Sequence, residues 1–166
     1  SGTYNVGGLV GNSTNTSNFT SASASGNVSG SAQSIGGLIG AYSNGTLTTV
    51  SSTGLVSGTY NVGGLVGYND VGLTLVGGTS TGHVTGSSYY VGGLIGQSYR
   101  GETMIKNAYA TGNVKGTYGV GGLLGYSDTN NYGNTKTILN SYAQGTVEGT
   151  TTGESYVGGL VGGTSW

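Results

Sequence analysis

The chain has 166 residues, 38 of them glycine, with no proline, no cysteine, a formal net charge of -1 and only 5 % charged residues. The four cations Arg100, Lys106, Lys115 and Lys136 are scattered and form no basic patch for phosphates, so nucleic acid is excluded as a partner. No apolar run approaches the roughly 20 residues of a membrane helix, and without proline or a glycine at every third residue the chain is not collagen.

Read in order, the chain opens on Val6-Gly7-Gly8-Leu9-Val10-Gly11, and the Gly-Gly-Leu core of that stretch returns at Gly36, Gly63, Gly92, Gly121 and Gly158. The offsets are 29, 27, 29, 29 and 37 residues, within the range of roughly 20–50 that marks a repeat architecture. After each return comes a polar loop and one apolar residue (Phe19, Leu47, Leu75, Ile105, Ile138). A small residue follows (Ala24, Ser52, Ser80, Ala110, Ala143), and then Gly-x-Val-x-Gly, with Val28, Val56, Val84, Val114 and Val147 at its centre. The pieces are short, rich in Val, Ile, Thr and Tyr, and bounded by Gly or Asn, which are strand signals; no window carries a helical apolar period. Residues 1–166 therefore read as a single all-β domain, a parallel β-solenoid (a three-sided β-helix) of about six coils of ~28 residues. At about 4.8 Å per coil the column is roughly 29 Å tall, and identical residues stack into Val, Leu and Phe/Leu/Ile ladders that form the core.

The glycines supply corners and close approach. They match neither a phosphate loop nor a calcium-binding glycine repeat, since no Lys-Ser/Thr or Asp follows at the required place. In Gly-Gly-Leu-Val-Gly two apolar residues are adjacent, and on a regular strand they would face opposite sides. Either a bulge at Gly-Gly turns both inward, or one column points out as an apolar stripe that marks a lateral interface.

The stretch Tyr89-Tyr90-Val91-Gly92-Gly93-Leu94-Ile95-Gly96, followed by Asn107-Ala108-Tyr109-Ala110-Thr111-Gly112-Asn113-Val114-Lys115-Gly116, resembles the GLUG motif. The fifth repeat echoes it in Asn140-Ser141-Tyr142-Ala143, while the first three carry Ser21, Thr49 and Gly77 in place of that Asn. The motif occurs in tandem in large bacterial surface proteins, including filamentous-haemagglutinin-like adhesins and zinc IgA1-specific metallopeptidases. The resemblance implies an extracellular or cell-surface scaffold with a β-solenoid fold and assigns the repeat no chemistry. The peptidase connection does not carry over, because the His-Glu-x-x-His zinc motif is absent and His83 is the sole histidine.

No constellation for catalysis, cofactor or metal is legible. His83 lies in a variable column with Asn27, Leu55, Asn113 and Thr146, and a metal site needs several converging ligands. The acids Asp70, Glu102, Asp128, Glu148 and Glu154 fall one per coil or fewer. Asp70, Glu102 and Asp128 share a loop column with Arg100 and Lys136, which reads as a solvated rim of mixed sign rather than a hydrolytic carboxylate pair.

Tyrosine is the conspicuous residue, at 13 positions. Tyr4, Tyr60, Tyr89 and Tyr118 share one column, broken by Gln33; Tyr68 and Tyr126 share a second, and Tyr109 and Tyr142 a third. They read as aromatic ladders between coils, the alternative being a platform for sugar rings or a neighbouring chain. A single mixed column (Thr3, Ser31, Thr59, Ser87, Thr117, Thr150) falls short of the two regular Thr columns that ice binding requires. Asn-x-Ser/Thr sequons at Asn12, Asn15, Asn18, Asn27 and Asn44 are candidate glycosylation sites. The last repeat is lengthened between Tyr126 and Lys136 and again before Tyr156, and solenoid insertions form loops on a binding face.

The chain starts at Ser1 without Met, as a mature or excised chain would, and neither end carries an obvious polar cap. Open strand edges template another copy, although about half a coil is missing at a covalent junction. The sequence thus points to a non-enzymatic extracellular structural and adhesive repeat protein, partnered by copies of itself in a filament or surface stalk. The alternative is a carbohydrate-binding surface module with glycans or cell-surface molecules as partners.

Overall fold

The computed structural model describes residues 1–128, 134–151 and 153–165. The chain is all-β, a parallel β-solenoid. Six strands stack in the first sheet, from Val6–Gly7 to Val157–Gly158, and so mark five full turns. A second sheet runs from Val10–Thr16 to Val161–Ser165. A third takes the small residues, from Ser23–Ala24 to Tyr142–Ala143, and a fourth the Val ladder, from Val28–Ser29 to Val147–Gly149. Every pairing joins identical places in successive coils, as in Val62↔Val91↔Val120 and Val84↔Val114↔Val147. Parallel strands that repeat one sequence have no competing register that keeps the same face buried, which is why the period alone sets the fold.

Each of the first five coils feeds four sheets where three extended pieces are read in the sequence, because Val-Gly-Gly-Leu is a corner rather than one strand. In the middle coils two successive amides share one acceptor above them. Leu65 and Val66 both donate to the Leu94 carbonyl (2.8 and 2.9 Å), and Leu94 and Ile95 both donate to that of Leu123 (2.9 Å each). Two donors on one acceptor rotate the backbone between them, so both neighbouring side chains face in. Leu38, Ile39, Leu65, Val66, Leu94, Ile95, Leu123 and Leu124 are accordingly all buried, as the bulge requires and the outward stripe does not allow.

The core has two parts. The larger joins the Leu/Ile corner pairs to Leu47, Leu75 and Ile105 and to the small residues. The smaller packs the Val ladder against Ile35, Val62, Val91 and Val120. Each fully buried Leu, Ile or Val contributes about 1.5–3 kcal/mol. The small column is small of necessity. A Cβ on Gly64 would lie 2.2 Å from Ser80 Oγ and one on Gly93 2.7 Å from Ala110 Cβ, so the second glycine of each pair and the small residue fill one gap together.

A second corner precedes the small column. Ser21, Thr49, Gly77, Asn107 and Asn140 occupy it, all with φ between 48° and 68°. The Asn of the motif is there because Asn accepts this left-handed conformation more readily than other side chains.

Candidate functional surfaces

Three features of the molecule could act on something outside it: the two terminal faces, the tyrosine columns, and a groove between the first and second sheets.

At the terminal faces the ladders stop. Leu9 of the first coil is 50 % exposed and Leu160 of the last is 42 % exposed, although their equivalents between are fully buried. Val157 is also exposed. The last coil enters only the first two sheets, so the C-terminal face is stepped, and Leu139 and Tyr142 lie uncovered on the lower tread. Two glycines stand out here. A Cβ on Gly54, Gly82, Gly112 or Gly145 would strike a carbonyl of the coil beneath, and one on Gly8, Gly37, Gly64, Gly93 or Gly122 a carbonyl of the coil above. Their equivalents Gly26, at the bottom, and Gly159, at the top, face open space.

The tyrosines form a continuous array on one edge. Tyr60 stacks on Tyr89 (ring centroids 5.6 Å, 11° between planes), Tyr89 meets Tyr118 edge-on at 5.4 Å, and Tyr118 meets Tyr156 at 4.9 Å. Tyr156 escapes the column in the sequence because it stands two residues, not three, before its Gly-Gly. Tyr4 lies apart, 66 % exposed, since Gln33 intervenes. Tyr109 stacks on Tyr142 at 5.3 Å with 6° between planes. The second column, too, is interrupted, by Gln97. Tyr68 instead tilts against Tyr99 at 6.3 Å, and Tyr126 stacks on Tyr90 at 4.4 Å. Stacked rings cover each other's faces and turn their edges to solvent, so these pairs tie coils together, at about 0.5–1.5 kcal/mol each. Burial raises the Tyr90 phenol, and a hydrogen bond to Tyr156 foremost, then burial, raises that of Tyr118.

Among the charged residues, Arg100 forks onto Asp70 (2.8 and 3.0 Å) and lies over the Tyr99 ring, while Tyr68 donates its hydroxyl to Asp70 Oδ1 at 3.3 Å. Burial, then the Asp70 charge and hydrogen bond, pushes the Tyr68 phenol up. Lys115 pairs with Glu148 at 2.8 Å on the exposed side of the fourth sheet. Glu102 and Glu154 are exposed. Lys136 is not a rim residue. Its register with Thr103 turns it into the fold, where Nζ donates to Ser98 Oγ (3.1 Å) and to the carbonyls of Gly101 (2.6 Å) and Tyr99 (3.5 Å). Burial lowers its pKa, and the charge of Asp128 works against that. It closes an interior polar cluster with Asn69, Ser98 and Thr103, beside the buried Ser127 of the next coil, that sequence reasoning missed, the only signal being polar residues at one place in consecutive repeats. No group of three or more His, Asp or Glu side chains able to hold a metal occurs among the described residues.

The role of His83 is local. Its Nδ1 accepts the Asn113 amide at 2.9 Å, as Asn27 Oδ1 accepts that of Leu55 and Asn113 Oδ1 that of Thr146. This column thus stitches one coil to the next through a side chain. Of the sequon residues, Asn12, Asn15, Asn18 and Asn27 are exposed and Asn44 is half-buried. Asn18 Oδ1 accepts the Thr46 amide at 2.9 Å, and Asn44 Nδ2 donates to Thr16 Oγ1 at 3.2 Å. In the Ser/Thr column the hydroxyls of Thr59, Thr117 and Thr150 donate to carbonyls one coil below. That use is structural, unlike a free hydroxyl face. Of the lengthened last repeat, residues 129–133 and 152 lie outside the described residues.

The family model of the GLUG motif matches residues 2–29 and 87–115, each the length of one coil. The chain carries GLUG repeats. The two matched GLUG coils are the first and the fourth, and the strand register carries the same pattern through the coils between and beyond them. Neither the curated proteins nor the solved structures yield a match.

Proposed function

We propose that this GLUG solenoid is a non-enzymatic structural and adhesive element of the cell surface or extracellular space, and that copies of it stack end to end into a filament or stalk. The observation that carries this reading is the pair Gly26 and Gly159. Between the ends each such glycine is required by a carbonyl of the adjoining coil; at the two terminal faces the same places face open space and leave room for a further coil. The ladders support it further. Val6, Leu9, Val10 and Val28 end the core columns at one face and Val157, Leu160, Val161 and Val147 end the same columns at the other, so each column closes on the same type of side chain at both ends, the Val ladder one coil lower on the stepped face. Strand edges at both faces add unpaired backbone groups suited to parallel addition. A surface of Ser, Thr, Asn and Gly with few charges suits an exposed extracellular fibre, as does the resemblance to GLUG-bearing surface proteins.

Negative-stain electron microscopy across a concentration series tests the proposal. Regular fibres with an axial repeat near 29 Å, about six coils at about 4.8 Å, are expected. Gly159→Ala is expected to leave the fold intact and abolish the fibres, because its Cβ would block the incoming coil. Monodisperse particles at every concentration, or fibres indifferent to Gly159→Ala, would overturn it.

A further inference from the structure

A groove with a volume of about 330 Å³ runs between the first and second sheets at the first three coils, at the lower end of the range of roughly 300–1,000 Å³ typical of small-molecule sites. The repeats themselves report what the groove can hold. In the fourth and fifth coils the corresponding space is filled: Tyr90, at the corner of one coil, lies under Tyr126 on the arm of the next, with ring centroids 4.4 Å apart. The strand register makes Tyr68 the equivalent of Tyr126 and Ser34 the equivalent of Tyr90. The backbone agrees, because Ser34 and Tyr90 share the left-handed conformation, with φ of 60° and 58°. Tyr68 therefore has the place of Tyr126 without the ring that stacks beneath it. The vacancy lies at the place that the Tyr90 ring fills two coils on, against an aromatic wall.

The rest of the lining differs from what an aromatic side chain needs. Asn5, Asn12 and Gln33 bring amides, and Ser34 and Ser43 bring hydroxyls. The one carboxylate, that of Asp70, is already neutralised by the Arg100 fork and held by the Tyr68 hydroxyl. Arg100 is fixed in turn over the Tyr99 ring, so the Tyr68 wall is set before any ligand arrives. A phenol would use one of these polar groups; a ring bearing a hydroxyl on nearly every carbon would use most of them. Amides and hydroxyls beside a ring face, with the local charge cancelled, suit an uncharged polyol ring.

We propose that this groove is a binding site for a neutral saccharide, one pyranose ring of which lies against Tyr68 over Ser34 and takes its hydrogen bonds from Asn5, Asn12 and Gln33. The site borders the N-terminal face through Asn5 and Asn12 of the first coil, while its wall and floor, Tyr68 and Ser34, lie in the third and second coils. It is separate from the exposed Tyr60–Tyr89–Tyr118 array, whose rings pack on one another, stacked and then edge-on.

The test is a glycan array of neutral hexose and N-acetylhexosamine oligosaccharides beside uronic and sialic acid ones, followed by saturation-transfer NMR with the best neutral binder. The chain is used as wild type, Ser34→Tyr, Tyr68→Ala and Tyr89→Ala, each checked for β structure by circular dichroism. Ser34→Tyr supplies the missing ring at a backbone conformation that Tyr90 already tolerates. It is expected to weaken binding at least about tenfold, the equivalent of 1.4 kcal/mol, and Tyr68→Ala to do the same. Tyr89→Ala is expected to leave binding unchanged. The proposal is overturned by no neutral saccharide binding at millimolar concentration, by preference for the acidic sugars, by binding indifferent to Ser34→Tyr and Tyr68→Ala, or by a groove that only takes up a second copy of the chain. Should Ser34→Tyr fail to fold, Tyr68→Ala carries the same decision. Fibre formation by the wild type is scored separately, so failure here leaves the stacking proposal standing.

Discussion

Leu94 and Leu160 hold the same place in their coils, yet the first is fully buried and the second is 42 % exposed. Gly93 and Gly159 differ in the same way: a Cβ on the first would stand 2.0 Å from the Gly122 carbonyl oxygen, and one on the second would meet nothing within 4 Å. Sequence position within a repeat does not set the energetic weight of a residue here; the presence of a coil on each side does. That is the behaviour of a one-dimensional stack, whose stability sums unit terms and nearest-neighbour interfaces. A middle coil has two interfaces within this chain and an end coil one, so a residue of an end coil carries less of the stack's stability than its equivalent in the middle.

The comparison breaks most visibly with one substitution made twice. Gly93→Ala is expected to cost at least about 3 kcal/mol or to prevent folding, because the obstacle is backbone that cannot move without parting two coils. Gly159→Ala is expected to change stability by no more than about 0.5 kcal/mol, as for a surface site. Urea midpoints on dilute, dispersed protein measure both. Equal effects would mean that the coils do not behave as separable layers.

Much of this was legible in the sequence because a repeat reports itself. The Gly-Gly-Leu period fixes the register of every strand, and with it the Val, Leu and Phe/Leu/Ile ladders of the core. What the period could not report was conformation within a coil. The adjacent Leu94 and Ile95 pose a question that only the two amides sharing the Leu123 carbonyl answer. Lys136 reads as a rim charge because it follows a lengthened loop, and only its pairing with Thr103 reveals that it faces in. The groove at Ser34 was invisible for a related reason: a vacancy is a difference between coils, and a ladder reading looks for sameness. Tyr68 and Tyr126 share one column of the sequence, but the ring that separates their surroundings, Tyr90, belongs to another column and another coil.

A smaller effect sharpens the contrast between middle and end coils by acting across their boundary. Tyr42 of the second coil is buried and donates its hydroxyl to the Ser17 carbonyl in the loop of the first, and burial pushes its pKa up to about 12. Tyr42→Phe is expected to cost about 1 kcal/mol at neutral pH, the net worth of one such hydrogen bond. The folded chain keeps this proton up to about pH 12, whereas the unfolded chain releases it near 10.0. Stability present below pH 10.0 is therefore lost as the pH rises between those values. Tyr68, Tyr90 and Tyr118, also raised, act in the same direction. Urea midpoints through that range are expected to fall for the wild type and to fall less steeply for Tyr42→Phe; parallel curves would show that Tyr42 is not held as described.

The smallest expected effect is one that ignores coil position, and it separates the local cost of a residue from the cost of stacking. Thr49 in the second coil and Asn140 in the fifth occupy the same left-handed corner, with φ of 52° and 48°. Both are exposed, and Asn140 also donates to Asn107 Oδ1 of the coil below at 3.4 Å. Thr is poorly suited to positive φ because its branched Cβ crowds the backbone, while Asn visits this region more readily. Thr49→Asn is therefore expected to stabilise the chain by about 1 kcal/mol, which for a chain of this size is a rise of about 2–4 °C in Tm. Asn140→Thr is expected to lower stability by a similar amount. Opposite and similar shifts in calorimetry would place this term inside the coil. A much smaller loss at Asn140 would mean that even the corner conformation is imposed by the neighbouring coils, and that a single GLUG repeat specifies less of its own shape than its motif implies.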